Sequence, residues 1–169
     1  ASLVGGSVQH GRVPGFGALG AFRPAARPER PTLVVVYDRE ELGSYGSAGA
    51  SGNFIGLLAA RALEAVGLEP SWAEVARALQ TTYALSADVE AAIDPDYKEV
   101  HEELNSAHMG RGPCLVRYTG GTGKYGASEA GAEFLAKVRN AFHQAHVVWP
   151  SSITGTPEEG GGGPVALYL

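Results

Sequence analysis

The chain has 169 residues, of which 44% are hydrophobic, and it carries a formal net charge of −5 with an isoelectric point near 5.5. This length and composition allow a single domain with a hydrophobic core, spanning residues 1–169. An acidic surface is not attracted to nucleic acid or to an anionic membrane, so we expect neither as a main partner.

The cysteine content and the apolar runs predict the cellular setting. Cys114 is the only cysteine in the sequence, so no internal disulfide can form and a reduced, cytoplasmic environment is expected. No apolar run approaches the roughly 18 residues needed to span a bilayer. The start, ASLVGGSVQHGR, also lacks the basic-then-apolar layout of a signal peptide. We therefore expect a soluble protein with no membrane partner.

The first third of the chain leads up to an apolar run that ends in acidic residues. Residues 1–22 are rich in glycine and are predicted to end in a short helix, and the proline- and arginine-rich residues 23–31 are predicted to be a solvated connector. Residues 33–37, LVVVY, predict a strand buried on both faces. Asp38, Glu40 and Glu41 follow directly, at the end of a strand where open α/β sheets usually carry their sites.

Three helices are predicted in the remainder of the chain. Asn53 is a candidate N-cap for the first, which Gly67 should end, and Ser71 is a candidate N-cap for the second. Residues 127–143 predict a third amphipathic helix. The apolar positions of the second helix that should share one buried face are Trp72, Val75, Ala76 and Leu79.

Further strands are predicted at residues 115–118, 147–149 and 165–169, the last after the glycine run 160–163. Strands that alternate with helices indicate an α/β fold. We expect a three-layer sandwich, in which a mixed, mostly parallel sheet is covered by helices.

Several motifs suggest chemistry, and each has a simpler alternative. Glu40, Glu41 and Asp88 would form a three-carboxylate cluster suited to cations, although adjacent glutamates after a strand are often merely solvated. The glycine runs do not form a phosphate loop, because Lys124 is followed by Tyr125 rather than by serine or threonine. The five histidines lack metal-binding spacing, and His146 suits a helix end. Cys114 is expected to be a small core residue.

Four segments of the chain resemble consecutive blocks of one enzyme family. They are YDREELGSYGSAG, SADVEAAIDPDY, NSAHMGRGPCLVRYTGGTGKYGASEAGAEF and GTPEEGGGGPVALYL. Their order and spacing are similar to those of the aspartyl aminopeptidase and vacuolar aminopeptidase I family of zinc peptidases. The resemblance covers most of the chain and corresponds to the later half of the family's phosphorylase/hydrolase-like catalytic domain.

The resemblance implies a role for individual residues. Glu40 holds the position of the family's general base, and Glu41 and Asp88 hold positions of zinc ligands. Arg117 stands where a substrate-binding residue, usually a lysine, is found. Two zinc ions that polarise the scissile carbonyl and activate a water are then expected to release N-terminal residues from peptide substrates.

The chain also departs from the family pattern. His10-Gly11-Arg12 replaces an Asp-Asp-Arg whose first aspartate bridges the two zinc ions, so His10 is the candidate ligand there. Glu129 stands where asparagine or aspartate is usual, and Glu158 lies where a Val-Asp pair is common. The family's zinc-binding histidines at both ends of the catalytic domain have no counterpart in this sequence.

Two hypotheses follow. The chain is a zinc aminopeptidase, or a fragment of one, or it is a catalytically degenerate homologue that serves as a structural or assembly subunit. The first implies two zinc ions, whereas His10 in place of the bridging aspartate favours one ion or none. The resemblance further implies a homo-oligomer, a dodecamer of tetrahedral shape built from dimers.

Overall fold

The computed structural model describes residues 3–23, 29–38, 40, 44–119 and 128–156. These residues form a mixed helix and strand structure, which confirms the predicted α/β class. The elements in chain order are α1 (Gln9–Phe22), α2 (Phe54–Ala65), α3 (Trp72–Gln80), a 3₁₀ turn (Lys98–Val100), β1 (Leu115–Val116), β2 (Tyr118–Thr119), β3 (Ser128–Glu129), α4 (Ala132–Gln144) and β4 (Ser151–Ser152). The predicted elements at 160–163 and 165–169, and most of the connector at 23–31, lie outside the described residues.

Helix α1 is longer than the short helix expected near residue 22, and it buries none of its residues. Pro14 and several glycines lie inside it, which are residues of low helix propensity. Its apolar side chains are open to solvent, including Phe16, which is 81% exposed. Neither local propensity nor a packed face among the described residues accounts for the stability of this helix.

Helix α2 begins and ends where the sequence predicted. Asn53 occupies the N-cap position, although its side chain makes no capping hydrogen bond. At the other end Gly67 has a φ of +79°, its N–H donates to the Glu64 carbonyl over 2.9 Å, and the Leu68 N–H donates to the Leu63 carbonyl over 3.0 Å. This is a Schellman motif, in which a glycine in the left-handed conformation satisfies the last carbonyls.

Helix α3 is capped as predicted but packs differently. The Ser71 side chain accepts a hydrogen bond from the Glu74 N–H over 3.3 Å, which confirms the N-cap. The helix contacts α2, and Val75 is buried, whereas Trp72 is 82% exposed. The expectation that Trp72 and Leu79 share the buried face is wrong, because both side chains are open to solvent in this structure.

The strands form two short ladders in the part of the chain that the structure describes. Strand β1 pairs in parallel with β4, with Leu115 opposite Ser151, and β2 pairs antiparallel with β3, with Tyr118 opposite Glu129. The strands at 115–118 are thus confirmed, divided between β1 and β2. The described residues do not show the three-layer sandwich, which stays a prediction.

Residues 33–37 have no regular secondary structure and do not join a strand. Leu33 is 58% exposed and Val36 is 66% exposed, so the expectation of a strand buried on both faces is wrong for this structure. The β-branched residues favour extended backbone. A ladder also requires a neighbouring strand, and none of the described strands lies beside this segment.

The prediction of a strand at 147–149 is also wrong, and strand β4 begins at Ser151. The strand starts later because the residues after α4 are used to close the C-terminus of that helix. The Val147 N–H donates to the Phe142 carbonyl over 2.9 Å, and the His146 N–H donates to the His143 carbonyl over 3.1 Å. These bonds form a second Schellman motif with His146 at φ +53°. Val147 therefore belongs to the motif that closes the C-terminus of α4, and the chain enters β4 only after Pro150.

Few apolar side chains are deeply buried among the described residues. They are Ala50, Val75 and Ala107. Many larger apolar side chains on α1, α2 and α3 are instead open to solvent. Across the described stretches, none of the helices has the length and apolar character needed to cross a membrane.

Candidate functional site

The acidic segment that follows residues 33–37 is the first part of the candidate site. Glu40 is half-buried and lies in a 3₁₀ turn shortly after residues 33–37, whereas Asp38 is exposed. Glu41, the candidate zinc ligand, lies outside the described residues. The structure thus places the candidate base at a bend in the chain, partly shielded from water.

Residues 44–52 form a tight loop directly after the acidic segment. Ser44 has a φ of +61° and is completely buried. Its carbonyl accepts two hydrogen bonds from Ser51, one from the N–H over 3.1 Å and one from the hydroxyl over 2.7 Å. Gly49 packs against the same carbonyl so closely that a Cβ there would lie 2.1 Å from the oxygen. The loop therefore fixes the backbone at Ser44.

Two buried hydroxyls flank the acidic segment. The oxygens of Tyr37 and Ser44 are covered, and neither has a hydrogen-bond partner among the residues that the structure describes. Burial raises the pKa of the Tyr37 phenol above its ordinary value. Unpaired buried hydroxyls are uncommon in native proteins.

Asp88 lies on an exposed segment that continues into a half-buried contact. Its Oδ1 accepts a hydrogen bond from the Val89 N–H over 2.7 Å. Two residues further, Glu90 is half-buried, and its two carboxylate oxygens each lie 3.0 Å from the Thr154 hydroxyl. This contact attaches the segment that carries Asp88 to the chain that leaves β4.

A thiol and a serine lie next to the parallel ladder. The Cys114 thiol donates to the Ser152 hydroxyl over 2.9 Å, and Ser152 is 1% exposed. Burial raises the pKa of the Cys114 thiol, the hydrogen bond with Ser152 lowers it, and the charge of Glu90 raises it. Cys114 is kept as the neutral thiol, but it is half-buried rather than part of the core that was expected for it.

The remaining predicted site residues lie on separate elements. His10 is exposed in the first turn of α1. Arg117 is exposed between β1 and β2, where its N–H donates to the Ser152 carbonyl over 3.3 Å and its carbonyl accepts from the Ala130 N–H over 3.2 Å. The backbone of Arg117 is therefore held by both ladders, and its guanidinium faces solvent.

The side chains of the described residues show which potential zinc ligands lie close to one another. Carboxylate and imidazole groups are suitable zinc donors. However, within the described ranges no three histidine, cysteine, aspartate or glutamate side chains lie close enough together to hold a metal ion. His10, Glu40 and Asp88 are therefore not brought into one cluster, and the ligand roles of His10, Glu41 and Asp88 stay predictions.

Some residues at this site were not foreseen from the sequence. Glu90 lies two positions after Asp88, and alternation along an extended segment would have placed both side chains on one side. No local pattern in the sequence indicated the partners of these residues. Thr154 is 64 residues from Glu90, and Ser152 is 38 residues from Cys114, so only the fold brings each pair together. The buried hydroxyls of Tyr37 and Ser44 likewise become visible only in the structure.

Comparison with known proteins gives one consistent result. A model of the aminopeptidase I zinc metalloprotease (M18) family matches residues 9–169. The chain is 37% identical, over 99% of its length, to a probable M18 family aminopeptidase 1 of Thermotoga maritima, and 32% identical to the protein of the same name from Clostridium acetobutylicum. It spans 37% and 36% of the lengths of these two relatives.

Solved structures resemble the chain in the same way. The crystal structure of an M18 family aminopeptidase from Thermotoga maritima matches 95% of the chain with a TM-score of 0.83 and 37% sequence identity. The aminopeptidase I structure from Clostridium acetobutylicum also matches 95%, with a TM-score of 0.79 and 29% identity. In each case the chain corresponds to 35% of the solved chain.

Proposed function

The chain belongs to the M18 family of zinc aminopeptidases, and on this premise we propose that it is part of an enzyme that releases the N-terminal residue of peptides by zinc-dependent hydrolysis. The observation that carries the proposal is the similarity of the chain to M18 aminopeptidases over nearly its whole length, together with the acidic pair Glu40 and Glu41, to which the sequence resemblance assigns the family's base and ligand positions. The half-buried position of Glu40 supports a role in chemistry.

The residues of the chain have distinct roles in this proposal. Glu41 and Asp88 would hold zinc, which supplies Lewis-acid polarisation of the scissile carbonyl and lowers the pKa of a bound water. Glu40 accepts the proton of the attacking water as a general base. Arg117, whose backbone is held by both ladders, offers an exposed cation to the substrate.

The zinc shell needs more than these residues. A catalytic zinc site usually has three protein ligands, and the described residues form no such group. Part of the shell therefore belongs to residues outside those described. Whether His10 takes part determines the number of ions, because an imidazole cannot hold two ions at the short distance that a bridging carboxylate allows.

The setting and assembly of the enzyme are part of the same proposal. The one cysteine, with its raised pKa, suits a cytoplasmic environment. The open apolar faces of α1, α2 and α3 suit a chain that is covered by further protein, in line with the homo-oligomer that the family resemblance implies.

The test uses the full-length protein, its zinc content and its release of N-terminal residues from unblocked peptides. Glu40→Gln should lower kcat by about 10²- to 10⁴-fold while zinc stays bound, because the variant loses the proton acceptor and keeps the shape of the side chain. Glu99→Gln, an exposed position on the 3₁₀ turn Lys98–Val100, is the matched control and should keep full activity.

Two other outcomes would change the conclusion. If Glu40→Gln retained kcat within about tenfold of the parent, the base would be another residue. If the full-length protein contained well under one zinc per chain and folded equally well in a chelator, the degenerate structural subunit would replace the enzyme, since a bound metal stabilises the folded state. The replacement of the bridging aspartate by His10 is the feature that favours this second function.

A further inference from the structure

Residues 92–107 form a compact loop whose two ends are joined. Ala92 and Ala107 pair in an isolated parallel bridge, and the Ile93 N–H donates to the Ala107 carbonyl over 2.9 Å. Ala107 and its neighbour Ser106 are buried. Loops of this length that close on themselves are often functional, because their side chains are held in one arrangement.

Hydrogen bonds also hold the backbone inside the loop. The His101 N–H donates to the Lys98 carbonyl over 3.1 Å at the end of the 3₁₀ turn, and the Asn105 carbonyl accepts from the Ile153 N–H over 2.9 Å. The second bond attaches the loop to the chain that leaves β4. The side chains of the loop therefore extend from a backbone that is held at several points.

A cleft of about 120 Å³ lies in this loop, and the residues that line it are Ile93, Lys98, His101 and Glu103. Ile93 provides an apolar wall, Lys98 a positive charge and Glu103 a negative charge. The side chains of Lys98, His101 and Glu103 make no hydrogen bond or ion pair with any residue that the structure describes, including each other. The cleft therefore offers two unpaired charges of opposite sign beside an apolar surface.

The charges around the cleft select the class of ligand. The loop carries five carboxylates and one lysine, so it repels a ligand that has only negative charge. A ligand that has only positive charge would meet the Lys98 ammonium. A zwitterion can satisfy both signs at once. A volume of about 120 Å³ is that of about four water molecules in the liquid, which suits only a small molecule.

We propose that this cleft binds a small free amino acid, with its carboxylate at Lys98, its ammonium at Glu103 and its apolar side chain against Ile93. Both polar contacts would be charge-assisted hydrogen bonds, and an imidazole N–H of His101 is a further donor for the carboxylate. Free amino acids are also what the proposed reaction releases. The inference itself needs no zinc and none of the residues to which that reaction assigns a role.

The experiment adds three small molecules to full-length protein from which metal has been removed by a chelator, so that no ligand is held by zinc. L-Alanine carries both charges, propionate lacks the ammonium and ethylamine lacks the carboxylate. Saturation-transfer NMR on the methyl signals gives each Kd. We expect a Kd on the order of 1 mM for L-alanine. Propionate and ethylamine should bind about tenfold more weakly, because each lacks one charge-assisted hydrogen bond.

Variants of the lining residues locate the binding site. Lys98→Met and Glu103→Gln each remove one charge at an exposed position and should weaken binding of L-alanine about tenfold without a change in thermal unfolding. Propionate should lose affinity in Lys98→Met but not in Glu103→Gln. Glu99→Gln, next to Lys98 but outside the lining of the cleft, is the matched control and should keep the Kd of the parent.

The inference fails if L-alanine does not bind, or if it binds the parent, Lys98→Met and Glu103→Gln with the same Kd. Equal binding of propionate or ethylamine and L-alanine to the parent would show that the cleft recognises a single charge, and the assignment to an amino acid would be wrong. Each of these results leaves the proposed function standing, because the measurement contains no zinc and the lining residues have no role in the hydrolysis.

Discussion

The hydroxyl of Thr154 lies 3.0 Å from both carboxylate oxygens of Glu90, 64 residues earlier in the chain. This contact joins the segment that carries Asp88 to the end of β4. Asp88 itself is exposed, so its position in the fold depends on how its neighbour Glu90 is attached to the rest of the protein. Thr154 and Glu90 therefore provide the connection through which the fold can place a candidate zinc ligand.

Replacement of Thr154 tests this connection. Thr154→Val keeps the shape of the side chain but removes the donor to a half-buried carboxylate, and should lower the free energy of unfolding by about 1–3 kcal/mol. Urea denaturation measures the change. Thr154→Ser retains the hydroxyl and should stay much closer to the parent. A larger loss in Thr154→Ser than in Thr154→Val would show that packing of the threonine methyl, rather than the hydrogen bond, holds the segment.

Gly112 should tolerate no side chain. It has a φ of +93°, and a Cβ there would lie 2.1 Å from the Val148 carbonyl oxygen. Gly110 has a φ of +79° but open space around it, so it is the natural control. Gly110→Ala should cost about 1–3 kcal/mol from backbone strain alone. Gly112→Ala should cost clearly more, and equal effects in thermal unfolding would contradict the close contact with Val148.

The Schellman motif at the end of α4 predicts a stabilising substitution. His146 occupies at φ +53° the position that glycine normally takes, and left-handed backbone costs roughly 1–2 kcal/mol for residues with a Cβ. His146→Gly should therefore raise the free energy of unfolding by up to about 1 kcal/mol. Ala145→Gly, one residue earlier and with negative φ, should lower it. A loss of stability in His146→Gly would mean that the imidazole makes a contact of greater value.

Tyr83 predicts a pH effect at the face of α4. The Lys137 ammonium donates to the Tyr83 hydroxyl over 2.6 Å, and the Tyr83 ring stacks on Phe134 with centroids 4.8 Å apart. The hydrogen bond and the charge of Lys137 lower the pKa of Tyr83 from its ordinary value of 10.0. The folded protein thus releases this proton before the unfolded chain does. The contribution of Tyr83 to the free energy of unfolding therefore increases as pH rises through the pKa of Tyr83 in the folded protein. It is complete above the pKa of Tyr83 in the unfolded chain.

Titration of the tyrosinate absorbance measures this shift. Lys137→Met should return the Tyr83 pKa toward its ordinary value and remove the associated gain in stability at alkaline pH. Lys98→Met, on the 3₁₀ turn, is the control, since Lys98 does not contribute to the shift. An unchanged Tyr83 titration in Lys137→Met would contradict the role of the hydrogen bond.

The sequence by itself determined the features that depend on neighbouring residues. The start of α3 at Ser71 and the end of α2 at Gly67 follow from a hydroxyl that pairs a free N–H and from a residue without Cβ, and both were predicted correctly. The family blocks, including the pair Glu40 and Glu41, are also local patterns, and they identified the family before any comparison of structures.

Only the tertiary structure decided which distant segments meet. Residues 33–37 have the composition of a buried strand but lack a partner among the described strands, whereas the ladder of β1 uses Ser151 and Ser152, two residues with no strand signal. The contact of Glu90 with Thr154 joins residues that are far apart in the sequence, and the burial of Ser44 depends on the residues that surround it in the fold. Local propensity fixes backbone angles over a few residues, but pairing and burial depend on chain brought together from far along the sequence, which no local pattern specifies.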